Sequence, residues 1–169
     1  MAYNTEKFEK GLEELGISLS EEQIGQFLTY YEMLVEKNKV MNLTAITEFD
    51  DVIEKHFLDS LSLIKVCDLN RELSVMDMGT GAGFPGIPLK IAFPKLQVTL
   101  ADSLNKRILF LQEVIDELRL NGVQAVHARA EELGKNKNYR EQYDLVVSRA
   151  VANLASNCEF MAVDLLKMN

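Results

Sequence analysis

The chain has 169 residues, 47% of them hydrophobic, which suffices for one hydrophobic core with a small appendage. It contains no run of ~20 apolar residues and no visible signal peptide. Cys67 and Cys158 lie far apart and lack the spacing of metal ligands. These features predict a protein of the reducing cytoplasm without a metal site. The net charge of −8 argues against strong non-specific binding of nucleic acid, which needs many phosphate contacts, but allows a local basic face.

The first part of the chain is predicted to be helical. Apolar residues recur at helical spacing between positions 24 and 35, which is the strongest amphipathic signal in the sequence. Ser20 and Gln23, just before this stretch, predict a capping box at the start of the helix. Thr47 is expected to cap a further helix, on which His56 lies among large apolar side chains. An interior histidine in such a position usually serves structure.

The rest of the chain alternates between short apolar runs and helical stripes. This order predicts a parallel sheet with right-handed crossovers, in which ligands bind at the carboxyl ends of the strands. We place a domain boundary at the polar linker 68–72, so that residues 1–67 form a helical region and 68–169 form the sheet domain. The predicted strands are 73–78, 98–101, 123–127 and 143–148.

A glycine-rich segment, residues 75–88, follows the first predicted strand with the sequence VMDMGTGAGFPGIP. The glycines at 79, 81 and 83 allow positive φ and leave no Cβ between the backbone and a ligand. The order of strand, glycine loop and helix N-terminus offers free N–H groups and the positive end of a helix dipole. This segment is therefore the predicted ligand-binding element.

Two cofactors fit this loop. Residues 81–86 match the dinucleotide fingerprint G-x-G-x-x-G, with Asp102 about 20 residues later. Residues 77–83 match D-x-G-x-G-x-G, which is motif I of S-adenosylmethionine-dependent methyltransferases. Asp77 favours the second, because a carboxylate at the strand tip repels a pyrophosphate but suits an ammonium and a sulfonium. A glycine-rich turn without a ligand is the remaining interpretation.

Asp102 ends the second predicted strand. A carboxylate at this position can accept hydrogen bonds from both ribose hydroxyls of an adenosyl group. Its alternative role is an N-cap of the next helix, which Ser103 could also provide. The register with the glycine loop favours the ribose role.

Basic residues follow the third and fourth predicted strands. Arg129, Arg149 and the loop 135–140 could hold RNA phosphates, although the loop is equally typical of a solvated charged turn. No cysteine lies near the predicted strand tips, which disfavours covalent attack on a pyrimidine. A structural Arg149 is expected to pair with Asp144 or Glu131.

Taken together, these segments resemble the RsmG family, also called GidB, of 16S ribosomal RNA guanine-N7 methyltransferases. Motif I is shared by many methyltransferases, whereas HFLDSL, GAGFPGIP, DSLNKR and SRAVA are far more specific. The matching segments follow the family's order along nearly the whole chain. They are 42–44, 56–61, 77–88, 102–107, 129–133 and 143–152.

The resemblance implies a Rossmann-like S-adenosylmethionine-dependent methyltransferase fold with an N-terminal helical extension. It implies S-adenosyl-L-methionine as methyl donor and N7 of guanine 527 in 16S rRNA as acceptor. It further implies 16S rRNA or the small ribosomal subunit as partner, and low-level streptomycin resistance when the enzyme is lost. We also expect a monomer that does not associate with a membrane. Guanine N7 carries a lone pair and no proton, and the reaction is therefore expected to need alignment and exclusion of water but no general base.

The resemblance also assigns individual residues. Gly79 and Phe84 lie near the methionine end of the pocket, Ala130 and Glu131 lie against the adenine, and Arg149 closes the site. The full set of predicted cofactor-binding residues is Asp77, Gly79, Gly81, Gly83, Phe84, Asp102, Ala130, Glu131 and Arg149. The RNA-binding candidates are Asn42, His56, Arg129, Lys135, Lys137 and Arg140, of which Asn42 and His56 rest on the resemblance alone.

The sequence departs from the family pattern at its end. Family members continue past a Lys-x-Gly-Gly turn into the last strands of a seven-stranded sheet, whereas this chain ends at residues 167–169. We therefore expect a sheet without its final three strands. Two other functions stay open from the sequence alone: a nicotinamide-dependent oxidoreductase and a non-catalytic binding fragment.

Overall fold

The computed structural model describes residues 2–149 and Lys167, which form a four-stranded parallel sheet with helices packed around it. Cys158 and the end of the SRAVA segment lie outside the described residues. The elements, in chain order, are α1 (Glu6–Leu15), α2 (Glu21–Asn38), α3 (Phe49–Val52), a π-helix (Ile53–Leu58), α4 (Asp59–Leu61), a 3₁₀-helix (Ser62–Lys65), β1 (Ser74–Met78), α5 (Gly86–Ala92), β2 (Gln97–Asp102), α6 (Asn105–Glu117), β3 (Val123–His127), α7 (Ala130–Lys135) and β4 (Leu145–Val147).

Local sequence signals account for the start of the helical region. The predicted capping box is confirmed, since the Ser20 hydroxyl accepts from the Gln23 N–H and the Gln23 side chain accepts from the Ser20 N–H. The expected cap at Thr47 is wrong, because the residue that precedes α3 is Glu48 and its side chain makes no capping bond. Instead the Thr47 carbonyl accepts a hydrogen bond from the Tyr31 hydroxyl on α2, at 2.7 Å.

The sheet confirms the predicted parallel topology. Its strand order is β3-β2-β1-β4, and every neighbouring pair is parallel. Asp77 pairs with Val147 of β4, and Asp102 pairs with His127 of β3. All four strands therefore end at the same edge, where the glycine loop after β1 also begins. The described residues contain four strands, fewer than the seven of the family's full sheet, as expected from the sequence.

One apolar cluster joins the N-terminal helices to the sheet and its helices. It includes Phe8, Phe27 and Phe57 from the helical region, and Leu89 and Leu111 from α5 and α6. All five side chains are essentially inaccessible to solvent. Burial of this size contributes on the order of 2 kcal/mol for each large side chain and fixes the helical region against α5. The domain boundary at residue 68 stays a prediction.

Gly86, the first residue of α5, tests how closely this helix approaches the sheet. A Cβ at Gly86 would overlap Leu100 Cδ2 and lie 2.8 Å from Asp77 Oδ2. We expect Gly86→Ala to lower the free energy of unfolding by about 1–3 kcal/mol in urea titrations, because the packing cannot relax around it.

The matched control is Gly25→Ala on α2. Gly25 is exposed, and a Cβ there would meet no atom within 4 Å. This variant should gain roughly 0.5–1 kcal/mol, the usual advantage of alanine over glycine in a helix interior. Equal effects of the two substitutions would show that α5 does not pack as tightly as described.

Candidate active site

A cavity of about 450 Å³ opens at the carboxyl edge of the sheet. It lies beside the ends of β1 and β2 and the start of α7. Four of the predicted cofactor residues meet in its lining, namely Gly79, Asp102, Ala130 and Glu131, and the RNA candidate Arg129 lies there as well. The remaining predicted cofactor residues, which are Asp77, Gly81, Gly83, Phe84 and Arg149, are not part of this lining.

Gly79, Gly81 and Gly83 all have positive φ, and the surroundings of Gly81 and Gly83 differ. Gly83 has φ +108°, and a Cβ there would lie 2.6 Å from the Tyr30 hydroxyl and 2.8 Å from Ile87. Gly81 has φ +60°, and a Cβ there would meet nothing within 4 Å. Gly83 is therefore required by packing against α2, whereas the space beside Gly81 is open to a ligand.

Asp102 ties the glycine loop to the end of β2. Its Oδ2 accepts from the Gly81 N–H and its Oδ1 from the Leu104 N–H, both at 2.9 Å, and Arg107 Nη1 lies 3.4 Å from Oδ2. The residue that precedes α6 is Leu104, which makes the alternative of Asp102 or Ser103 as N-cap wrong. The same Arg107 nitrogen lies 3.5 Å from Oδ1, so each carboxylate oxygen has two donors, and a ligand hydroxyl would have to replace one of the long Arg107 contacts.

Asp77 lies beneath the loop rather than in the cavity. Its side chain is fully buried, and Oδ2 accepts from the Thr80 hydroxyl at 2.6 Å and from the Gly86 N–H at 2.9 Å. Its Oδ1 has no partner among the described residues. Burial raises the pKa of Asp77 to about 7, and the hydrogen bonds from Thr80 and Gly86 oppose this shift.

Arg149, just after β4, reaches the helical region. Its Nη1 lies 3.1 Å from Asp59 Oδ2, its Nη2 lies 2.7 Å from His56 Nδ1, and its guanidinium carbon lies 5.1 Å from the centre of the Phe84 ring. The expected partners Asp144 and Glu131 are therefore wrong, and Asp59 takes their place. These contacts connect the end of β4 to the π-helix, a kind of segment that frequently occurs at functional sites.

His56 lies flat against the glycine loop. Its ring stacks on the Phe84 ring with centroids 4.3 Å apart and an angle of 7°, and its Nε2 lies 2.9 Å from Thr44 Oγ1. Burial and then the charge of Arg149 lower the pKa of His56 to about 4, while Asp59 opposes the shift. His56 is therefore neutral at pH 7, with both ring nitrogens engaged.

A family model described as rRNA small subunit methyltransferase G, or GidB, matches residues 23–169. The chain therefore belongs to the GidB family. It is 58% identical over 152 residues to ribosomal RNA small subunit methyltransferase G of Lachnoclostridium phytofermentans, covering 90% of this chain and 63% of that protein. It is 55% identical to the same enzyme of Lysinibacillus sphaericus, covering 90% and 64%. The chain thus spans just under two thirds of the length of these relatives.

Solved structures of other proteins share the fold. TYW2 of M. jannaschii in complex with AdoMet superposes with a TM-score of 0.55 at 18% identity, covering 68% of this chain and 49% of that chain. The YcgJ protein of Bacillus subtilis gives a TM-score of 0.54 at 20% identity, covering 65% and 47%. Identities this low support the fold alone, which is the Rossmann-like methyltransferase fold predicted for the GidB family.

The RNA-binding candidates lie on separate elements. Asn42 is exposed between α2 and α3, Lys135 ends α7, and Lys137 and Arg140 are exposed in the loop after it. Sequence analysis extended this basic loop to residue 135, because it did not predict the short helix α7. Within the described residues, no cluster of histidine, cysteine or acidic side chains could hold a metal, and no helix is long and apolar enough to cross a membrane.

Thr44 and Asp59 contact the predicted site residues His56 and Arg149, although sequence analysis gave neither of them a role in the site. Both lie in segments that resemble the family, but their partners are distant in the chain, since Asp59 contacts Arg149 90 residues later. A functional signal for Asp59 was its position three residues after His56 in the HFLDSL segment. That spacing places both residues on one face of a helix.

The buried Asp77 carboxyl predicts a distinct dependence of stability on pH. The pKa of Asp77 is about 7 in the folded protein and 3.8 ordinarily, so the folded protein binds the proton more tightly than the unfolded chain does. The resulting stabilisation is complete below pH 3.8 and is lost as the pH rises through 7. Urea titrations should show the wild type losing roughly 1 kcal/mol more between pH 6 and pH 8 than the Asp77→Asn variant. The same dependence in both proteins would contradict the assignment.

Proposed function

We propose that the protein transfers the methyl group of S-adenosyl-L-methionine to N7 of guanine 527 in 16S ribosomal RNA. The observation that supports this proposal is the cavity at the carboxyl edge of the sheet, where Asp102 and the glycine loop meet in a chain of the GidB family. Family membership favours methyl transfer over nicotinamide-dependent oxidation. The partner is 16S rRNA or the small ribosomal subunit, and the protein acts as a monomer.

The residues of the cavity fit an adenosyl group and the cationic methionine end. Asp102 holds the ribose hydroxyls in place of its long contacts with Arg107, and Ala130 and Glu131 lie against the adenine. A volume of about 450 Å³ falls within the usual range for small-molecule sites. The cofactor supplies an electrophilic methyl group on a sulfonium, whose positive charge is favoured by the ionised form of Asp77 beneath the loop.

The remaining cofactor residues act around the methionine end. Gly79, Gly81 and Gly83 keep the loop backbone close to the ligand, and Phe84 forms the apolar wall beneath His56. Arg149 closes the site from the end of β4 through its contacts with the π-helix.

The proposed acceptor needs no general base. Guanine N7 has an in-plane lone pair and carries no proton, and its attack on the methyl group therefore releases none at that nitrogen. His56, the titratable group stacked on Phe84, is engaged at both nitrogens and its pKa of about 4 makes it a poor base at pH 7. Alignment and exclusion of water are the catalytic contributions of this site.

The charge distribution indicates which side of the protein meets RNA. Residues 1–64 contain thirteen acidic and five basic side chains, and therefore carry the whole net charge of −8, whereas residues 65–169 contain thirteen of each. The acidic side chains of the helical region repel an RNA backbone, except along residues 40–47, which carry no charge, and the backbone therefore approaches the sheet domain and this segment. The groups proposed to hold phosphates there are Arg129, Lys135, Lys137 and Arg140, with Asn42 and His56 on the adjoining wall.

The cofactor assignment is tested at Gly81, with Gly16 as matched control. Both residues have positive φ, +60° and +69°, and a Cβ at either would meet no atom within 4 Å. Alanine therefore introduces comparable backbone strain, of order 1 kcal/mol, in both. Calorimetric titration with S-adenosylhomocysteine should show affinity about tenfold lower or worse for Gly81→Ala and unchanged for Gly16→Ala. Wild-type affinity in Gly81→Ala, or binding of NAD instead, would refute the cofactor assignment.

The methylation itself is tested in a bacterial strain that lacks its own family member. Expression of the protein should restore chemical cleavage at 7-methylguanosine, detected by primer extension at one guanine in a loop of 16S rRNA, where the base is easily unstacked. The uncomplemented strain, which should also show low-level streptomycin resistance, is the control. Methylation of an exocyclic amine or of a protein would be incompatible with the proposal.

A further inference from the structure

We propose that the Thr44 hydroxyl donates a hydrogen bond to an acceptor oxygen of the RNA that receives the methyl group, and that His56 and Arg149 hold it in position to do this. The inference deepens the proposed function and rests on it. It adds a substrate-contacting residue beside His56, whose ring stacks on Phe84 of the cofactor loop.

The first step is the protonation state of His56. Arginine has only donors to offer, and Arg149 Nη2 lies 2.7 Å from His56 Nδ1. Nδ1 must therefore accept the hydrogen bond, and a neutral ring must carry its proton on Nε2. Burial and the nearby guanidinium lower the pKa of His56 to about 4, which keeps the ring neutral at physiological pH.

The second step is the orientation of the Thr44 hydroxyl. His56 Nε2–H donates to Thr44 Oγ1 at 2.9 Å, and the backbone N–H of Ile46 donates to the same oxygen at 3.0 Å. A hydroxyl oxygen has two acceptor lone pairs, and these two bonds occupy both. The hydroxyl proton must point away from both donors, and it has no acceptor among the residues that the structure describes.

The third step is the position of Thr44 relative to the cofactor loop. The His56 ring stacks on Phe84 of that loop, and the Arg149 guanidinium lies over the same Phe84 ring. One histidine ring therefore separates Thr44 from the predicted methionine end of the pocket. The Thr44 backbone is also fixed, since its N–H donates to Asn38 Oδ1 at the end of α2, at 3.0 Å.

These contacts define a hydrogen-bond chain with one direction. It begins at the permanent cation Arg149, passes through His56 and ends at a hydroxyl donor whose rotamer is set before any ligand arrives. A donor fixed in this way selects an acceptor and costs little ordering entropy when it binds one. On RNA the available acceptors are a base carbonyl such as guanine O6, which lies on the same edge as N7, or an oxygen of the backbone.

The inference is tested with Thr44→Val, which keeps the shape of the side chain and removes the hydroxyl. Methyl transfer from labelled S-adenosylmethionine to small ribosomal subunits of the deletion strain should lose about five- to tenfold in kcat/KM, the scale of one neutral hydrogen bond. Thr44→Ser retains the hydroxyl and should stay within about twofold of the wild type. Affinity for S-adenosylhomocysteine should be unchanged in both variants.

The matched control is Thr47→Val in the same loop. Thr47 is half-buried as Thr44 is, and its contact with Tyr31 uses the backbone carbonyl, which the substitution keeps. A loss of kcat/KM in Thr47→Val equal to that in Thr44→Val would overturn the inference, as would unchanged kcat/KM in Thr44→Val. No methylation by the wild type would instead refute the proposed function.

Two measurements separate the parts of the argument. Nitrogen NMR of His56 should show the Nε2–H form in the isolated protein, and the Nδ1–H form would overturn the inference without reference to methylation.

An RNA with 2-aminopurine, which lacks O6, at the target position should bind Thr44→Val and wild type equally if O6 is the acceptor. If Thr44→Val weakens binding of this RNA and of the guanine-containing RNA equally, the acceptor is an oxygen of the RNA backbone.

Discussion

The position of the glycine loop depends on one buried carboxylate. Asp77 Oδ2 accepts hydrogen bonds from Thr80 and from the first residue of α5, and thereby ties the end of β1, the loop and the next helix to a single atom. The absence of a side chain at Gly86 makes this close approach possible. Asp102 accepts a hydrogen bond from the Gly81 N–H in the middle of the loop. Side chains at the ends of β1 and β2 therefore both hold the loop in place.

The helical region contacts the glycine loop through aromatic rings. Phe84 of the loop is almost fully buried, and it stacks with Tyr30 of α2 and with His56 of the π-helix. The Tyr30 hydroxyl donates to the Ala82 carbonyl of the same loop. The helices of the N-terminal region therefore contact the glycine loop and share a core with the sheet.

Sequence analysis predicted the features whose determinants are local. The capping box at Ser20, the four strands and the glycine loop depend on residues within a few positions of one another, and each was located correctly. Asp102 was identified because its strand ends in register with that loop. The parallel arrangement then followed from the alternation of strands and helices.

The remainder depended on tertiary contacts that the sequence does not display. Thr47 has the residue type of a helix cap, but a tyrosine hydroxyl on α2 determines the course of its backbone. Asp77 stays a predicted cofactor residue, but its full burial and its hydrogen bonds with Thr80 and Gly86 could not be predicted from the sequence. The partners of Arg149 could not be foreseen, because they lie about 90 residues earlier on a segment whose π-helical turn has no clear local signal.

The uneven distribution of charge has a consequence for the kinetics of encounter. An acidic helical region and a balanced sheet domain give the molecule an electric dipole, and a polyanion that approaches it exerts a torque as well as a net repulsion. At low ionic strength the torque turns the sheet domain, rather than the acidic helical region, toward the polyanion before contact. Added salt screens the repulsion and the torque together over about 10 Å. More collisions then occur, and a smaller fraction of them begins in a productive orientation.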